Sequence, residues 1–448
     1  MSRDQPLPAT LAQEWVLQLA GVTKNNIPVA LRFTGPLDLT VLRRSLTEIV
    51  RRHESLRTSF RWEGGEAHLV IAPPAELPLP VVDLAALPEE PRTELLERLI
   101  AEHAGHEFDM TRGPLFIAQV LRLDDRDHAL LLNVHHIIAD GWSIQVLQSE
   151  LMLLYAAFAK GHPSPLRPLP IQFTDFAWWQ RRIFGGEPLA AQIGWWRRTL
   201  EHPPPPPALP SDLPRPEVRG TRALHASMRL APEPAQSLRA FARETQCSLP
   251  MVLLAAVDAL LHAYSGEEDL IVSLIFAGRI HPELWEQIGL FMNTLALRVD
   301  LSGNPSFRKL AERVSEATLE AYLHQEVPFA RVLQELFPGR KLTRTLLSGV
   351  CFNMLTFAET AGAPAGGEAL PDGLTLSALP AVGGGAKHDL GFTCAERDGA
   401  VLFNLMGAAD LFTPERMNTI ARNFEALLAR IAADPDVRLS RLREIVAR

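Results

Sequence analysis

Residues 201–220 read EHPPPPPALPSDLPRPEVRG. So many residues without a backbone N–H rule out a helix interior or a central strand, so this stretch must run extended over a surface. It interrupts a chain of 448 residues, which is too long for one ordinary hydrophobic core. Two folded halves follow: an N-terminal lobe over 1–180, a connector over 181–220 and a C-terminal lobe over 221–448.

Both halves mix strand and helix signals, which predicts an α/β or α+β protein. "IPVALRFTG" reads as a strand closed by Gly35-Pro36, and Asp38 is placed to cap the next helix. In that helix Leu42, Leu46, Ile49 and Val50 share one face, while the arginines of "VLRRSLTEIVRRHESLR" read mostly as its solvated side. "RTSFRWEGGEAHLVIA" predicts a hairpin turning at Gly64-Gly65. "HALLLNVHH" predicts a strand, and a helix follows from about Trp142 to Lys160, stopped by Gly161. Further on, "SLPMVLLAAVDALLHAYSG" predicts a buried helix, "DLIVSLIFAGR" a strand and "ERMNTIARNFEALLARIAADP" an amphipathic helix. "APAGGEALPDG" and "AVGGGAKHD" read as loops, and the second lacks the spacing of a phosphate-binding loop.

Composition narrows the function. A net charge of −8, a pI of 6.0 and the lack of a Lys/Arg block argue against nucleic acid. The N-terminus lacks a signal-type apolar run, and no stretch reaches the roughly 18 apolar residues of a membrane span. Three scattered cysteines, Cys247, Cys351 and Cys394, fit a reducing compartment, so a cytoplasmic protein is expected.

The stretch "LLNVHHIIADGWS", Leu131–Ser143, carries the chemistry. Side chains alternate along a strand, so His135 and His136 must face opposite ways and cannot share a task. After the turn, Asp140-Gly141 leads into a helix whose first amides are free to donate to developing negative charge. A histidine at a strand end beside such amides is arranged as a general base. No "GxSxG" elbow supplies an internal nucleophile, so the nucleophile would be substrate in an acyl transfer. Two readings remain open on residues alone: a structural corner, and a metal site, the latter weakened because only one histidine could join Asp140. No metal is expected.

The pattern His135-His136-x-x-x-Asp140-Gly141 resembles the HHxxxDG motif of condensation domains from nonribosomal peptide synthetases, in the chloramphenicol acetyltransferase-like superfamily. The shorter HxxxD core also serves CoA-dependent acyltransferases. Other stretches resemble family signatures in the family's order: "RHESLRTSF", "IQFTDFAWWQ", "SDLPRP", "IGLFMNTLALR", "HQEVPF", "GVCFNML" and "AKHDLGF". Together they span essentially the whole chain. The first signature departs, reading "LAQEWVLQLAG", with a short "GVTKNN" loop after it, and "LMGAADLF" lacks the usual aromatic before its aspartate.

The resemblance implies two acetyltransferase-like lobes in a V-shaped pseudo-dimer, with the motif in a tunnel between them. Acyl or peptidyl carrier proteins would deliver substrate on phosphopantetheine arms, in trans if the protein stands alone. No tightly bound cofactor is implied, and a monomer is expected. The acceptor, small-molecule or carrier-bound, would bring an amine or a hydroxyl. His136 takes the role of base or positioner, and His135 is structural. Asp140 is expected to pair with Arg57, and the Gly141 amide to lie near the thioester carbonyl. Trp142, Ser143 and Asn293 are expected at the substrate. A cyclisation domain would carry aspartates at the histidines, an epimerisation domain a different fifth signature, and a P450-recruiting domain would lack the second histidine. The rivals kept are a CoA-dependent O- or N-acyltransferase and a catalytically silent recruitment module.

Overall fold

The computed structural model describes residues 7–18, 25–183, 186–217, 220, 222–338, 349–355, 370–379 and 385–446. Most of the "GVTKNN" loop and parts of the two Gly-rich loops lie outside them. The chain forms two compact units. The first takes the described residues within 1–185, 279–292 and 357–384, and the second those within 186–278, 293–356 and 385–448.

The first unit contains β1 (Leu7–Pro8), α1 (Leu11–Gln18), β2 (Asn26–Thr34), α2 (Leu39–Arg52), β3 (Thr58–Glu63), β4 (Glu66–Ile71), β5 (Val81–Asp83), α3 (Glu89–Ala104), β6 (Phe116–Asp124), β7 (Asp127–His135), α4 (Gly141–Ala159) and α5 (Phe173–Ile183). The second contains α6 (Glu187–Thr199), β8 (Ala223–Leu230), α7 (Pro232–Glu244), α8 (Leu249–Ser265), β9 (Asp269–Phe276), β10 (Asn293–Asp300), α9 (Phe307–Leu323), α10 (Phe329–Leu336) and β11 (Val350–Leu355). Strand β12 (Thr375–Ala378) returns to the first unit, and β13 (Leu390–Arg397), β14 (Ala400–Ala408), α11 (Pro414–Ala433) and α12 (Leu439–Val446) complete the second.

Strand β7 sits in the middle of the five-stranded sheet β12-β2-β7-β6-β5. It is buried from His128 to His135, which is why it reads as a nearly unbroken apolar run. Ala129 and Leu131 face a core closed by Ile100 of α3 with Leu121 and Leu84. Elsewhere in the unit α2 packs on α4. Asp38 caps α2 by accepting from the Thr40 and Val41 amides at 2.8 and 3.1 Å, as its position predicts. The β3–β4 hairpin turns at Gly64 and Gly65, both at positive φ. Arg43, Arg44 and Arg51 lie on the exposed face of α2, but Arg52 is buried.

The second unit is built on the sheet β10-β9-β11-β13-β14-β8. Helix α8 is its apolar centre, capped by Ser248 and ended by Gly266 at φ +75°. Cys351 and Cys394 are buried there, and burial pushes the Cys394 thiol up and out of reactive range.

The proline run belongs to this unit and is not a tether outside it. Arg298 holds its start by donating to the carbonyls of Thr199 and Glu201 at 3.3 and 2.7 Å. Arg215 reaches buried Asp389 at 2.5 Å. The expected connector over 181–220 is therefore corrected in part: α6 fills residues 187–199, where helix-forming residues precede the first proline. Among the described residues no single helix is long and apolar enough to cross a membrane.

Candidate active site

The histidine pair stands where β7 ends. His135 is the last strand residue, opposite Asn26 of β2. Its side chain falls on the α3 side, the side of Ala129 and Leu131. The ring is buried, meets Phe108 edge-on at 5.9 Å, and accepts the Ile137 N–H on Nδ1 at 3.2 Å. An accepting Nδ1 leaves the ring proton on Nε2. Asn133 and Asn26 support this side by donating to carbonyls at the end of α3.

His136 begins the turn, and its backbone N–H donates to the carbonyl of buried Asn25 at 2.7 Å. Ile137, Ile138 and Ala139 are fully buried, and Gln13 donates to the Ile137 carbonyl at 3.0 Å. From His135 to Gly141, only His136 and Gly141 keep surface toward solvent. Gly141 opens α4 with open space where a Cβ would stand, and its amide has no intrahelical carbonyl to meet.

Asp140 is 1% exposed and accepts from five donors. Oδ1 receives the Ser143 N–H at 2.8 Å, the Ser143 hydroxyl at 2.7 Å and Arg279 Nη2 at 3.0 Å. Oδ2 receives the amides of Phe291 and Met292 at 3.1 and 3.3 Å. Burial by itself would raise this carboxyl, but the Arg279 charge and the Ser143 and Phe291 donors outweigh it and hold it below the usual range. Burial pulls Arg279 down while Asp140 opposes it; an arginine starts so high that it stays a cation at neutral pH.

Arg57 does not take the place expected for it. Asp140 is paired with Arg279, which lies between β9 and β10 in sequence. Arg57 leaves a short 3-10 turn into β3, and the β3–β4 sheet carries it away: it donates to the Ala72 carbonyl at 2.5 Å and lies 3.9 Å from Glu54. Arg279 also donates to the carbonyls of Leu284 and Gln287 at 2.5 and 2.7 Å, with its guanidinium 4.3 Å from the Phe291 ring centre.

Two expected substrate residues are committed elsewhere. Ser143 is 1% exposed, and its hydroxyl is spent on Asp140, Arg279 and Gly289. Asn293 belongs to the second unit, where its amide nitrogen donates to Gln325 and Val327 carbonyls at 2.7 and 2.9 Å and its oxygen accepts the Phe329 amide at 3.0 Å. It brackets the "HQEVPF" loop. Trp142 is mostly buried and donates Nε1 to the Trp285 carbonyl at 2.8 Å.

Residues 279–292 thus form a strap on the motif. Phe291 packs on Phe173 and Phe176 at 5.0 and 4.9 Å. Gly289 lies so close to Phe173 that a Cβ would stand 2.0 Å from its ring. A second buried cluster supports α4: Glu150 accepts from Arg52 Nε at 2.7 Å and pairs with His53 Nε2 at 2.9 Å. Burial would raise Glu150, but His53 and Arg52 hold it below its ordinary value. The "RHE" of "RHESLRTSF" was the available signal for this cluster. Nothing in "FAGRIHP" marks Arg279 among the other arginines. Among the described residues no group of histidine, cysteine and carboxylate ligands fits a metal.

Comparison with known proteins accords with this geometry. A family model for the condensation domain matches residues 4–446. A linear gramicidin synthase of Brevibacillus parabrevis is 38% identical over 441 residues, 97% of this chain and 9% of that protein. Chondramide synthase of Chondromyces crocatus is 38% identical over 437 residues, 97% of this chain and 11% of that protein. The chain therefore spans only a small part of these relatives. Among solved structures, the X-domain from teicoplanin biosynthesis superposes with a TM-score of 0.86 at 30% identity, covering 98% of each chain. SgcC5 from Streptomyces globisporus superposes with a TM-score of 0.76 at 28% identity, covering 97% of this chain and all of that one. The buried Asp140 anchor, the paired histidines before it and a family match along nearly the whole length agree: this chain belongs to the condensation-domain family.

Proposed function

We propose that this chain joins an acyl or aminoacyl thioester, carried on the phosphopantetheine arm of a carrier protein, to an amine or hydroxyl acceptor. The observation that carries this is the exposure pattern of the motif: every residue from His135 to Gly141 is buried except His136 and Gly141. Those are the groups acyl transfer needs, a proton acceptor and a backbone donor.

In the proposed step the acceptor nitrogen or oxygen attacks the thioester carbonyl. His136 orients the nucleophile and takes its proton, and the Gly141 amide faces the carbonyl oxygen as it gains charge. The tetrahedral species expels the arm's thiolate, which recovers the proton from His136. An amide or ester and a free thiol result. SgcC5 is known in complex with a naphthyl ethanediol, which supports an alcohol as one acceptor class.

A second reading has its own support. The teicoplanin X-domain is known in complex with OxyB, and it superposes on this chain with a TM-score of 0.86 at 29% identity. A silent module that recruits a partner enzyme would have the same fold. The partly exposed His136 favours catalysis.

Intact-protein mass spectrometry on an acyl-loaded carrier, with mixed amine and alcohol acceptors, tests the proposal. His136-dependent acyl loss with formation of an amide or ester is the expected result. Turnover from the matching acyl-CoA alone would move the chain to CoA-dependent acyl transfer. Silence with both would favour the recruitment reading.

A further inference from the structure

The Ser143 hydroxyl has more neighbours than a helix cap needs. Capping requires only that Asp140 accept the Ser143 N–H, which it does at 2.8 Å. The hydroxyl adds four contacts: Asp140 Oδ1 at 2.7 Å, the Gly289 carbonyl at 2.9 Å, the Gly289 N–H at 3.0 Å and Arg279 Nη2 at 3.0 Å. A hydroxyl has two lone pairs and one proton. Gly289 N–H and Arg279 fill the lone pairs. The single proton is left to Asp140 or to the Gly289 carbonyl. Asp140 already holds four N–H donors, about the number of sites a carboxylate offers.

Ser143 Oγ therefore accepts from Arg279 and from the Gly289 N–H, and gives its one proton to Asp140 or to the Gly289 carbonyl. Phe173 fills the space beside the Gly289 Cα, so Gly289 is closely packed on that side. This hydroxyl adds a second tie between the strap and the start of α4, beside the bonds that Asp140 makes to Arg279, Phe291 and Met292. Two residues before Ser143 stands the Gly141 amide, and across buried Asp140 and the three apolar turn residues stands His136. Resting on the acyl-transfer reading above, we infer that Ser143 is a positioning residue: its hydroxyl sets the distance between His136 and the Gly141 amide without touching substrate.

The test compares wild type with Ser143→Ala, Ser143→Thr, His136→Ala and the Ser143→Ala/His136→Ala double variant, using a carrier loaded with an acyl-phosphopantetheine thioester. Variants are assayed below their melting temperatures, with far-UV circular dichroism matching wild type. Ser143→Ala should lower kcat about 10- to 100-fold, the scale of an ångström-sized misplacement, with KM within about threefold. Ser143→Thr, which returns a hydroxyl, should recover most of the loss. The double variant should be no slower than His136→Ala, because Ser143 acts through the geometry around that histidine. A folded Ser143→Ala enzyme with kcat within about twofold of wild type overturns the inference, as does a double variant whose losses multiply. Lack of turnover by wild type overturns the carrier-dependent reading above, and this inference with it.

Discussion

Asp140 and Arg279, 139 positions apart in sequence, meet at 3.0 Å with both side chains almost fully buried. Neither has a second partner of opposite charge among the described residues. Each is instead completed by neutral groups: Asp140 by Ser143 and two backbone amides, Arg279 by two carbonyls. The pair fixes the strap 279–292 to the turn that presents His136.

Removing one member strands the other. Arg279→Ala should cost about 3–5 kcal/mol, the usual loss when half of a buried pair is removed. Arg279→Lys should recover little, since an ammonium cannot reach Asp140 and two diverging carbonyls together. Arg57→Ala should cost clearly less, because Arg57 is not on Asp140. Urea unfolding of the three variants measures this order, and an Arg57→Ala loss equal to that of Arg279→Ala would refute the assignment.

Acid should unfold the first unit through Asp140 and Glu150. Both carboxyls are held below their ordinary values of 3.8 and 4.5, so they bind protons more weakly folded than unfolded. Their contribution is present above those ordinary values and is lost as pH falls through the folded ones. Melting temperatures from pH 6 down to pH 3 should fall steeply for wild type. The slope should be shallower for Glu150→Gln, although that variant starts less stable.

Asp258 predicts the opposite trend. It lies in the apolar helix α8, 2% exposed, and its Oδ2 has no hydrogen-bond partner among the described residues. Burial raises its carboxyl well above the ordinary value. The folded state therefore binds this proton more tightly, and stability is lost as pH rises from about 4 through the folded value. Asp258→Leu should stabilise by about 1–3 kcal/mol near neutral pH, the cost of an unsatisfied buried polar group. Differential scanning calorimetry at pH 5 and pH 8 should show a larger gain at pH 8.

Gly289→Ala should be among the most damaging small substitutions. Its Cβ would stand 2.0 Å from a Phe173 ring carbon, in a site closed by Phe291 and Phe176. Overpacking of this kind costs about 1–3 kcal/mol or more. Pairing it with Phe173→Leu should restore part of the melting temperature. A Gly289→Ala protein as stable as wild type would show that the strap shifts freely.

The elements and the motif were legible residue by residue. Apolar β7, the Asp38 cap, the Gly64-Gly65 turn and the Gly161 stop could all be read, because local periodicity and backbone preference act over a few residues. Strand alternation also separated His135 from His136, and His135 proved to be the buried one. The partners came from folding alone. Arg57 and Arg279 are both arginines beside strands, and no local rule says which one reaches Asp140. Ser143 and Asn293 looked like groups free for a substrate until folding spent their hydrogen bonds on Gly289 and on the loop before Phe329. The proline run marked an extended segment correctly, but not a boundary, because Arg298 and Arg215 bind it to the second unit. Buried ion pairs and hydrogen-bond networks join residues more than a hundred positions apart, and their pairing is set by the packing of whole elements rather than by any pattern within one.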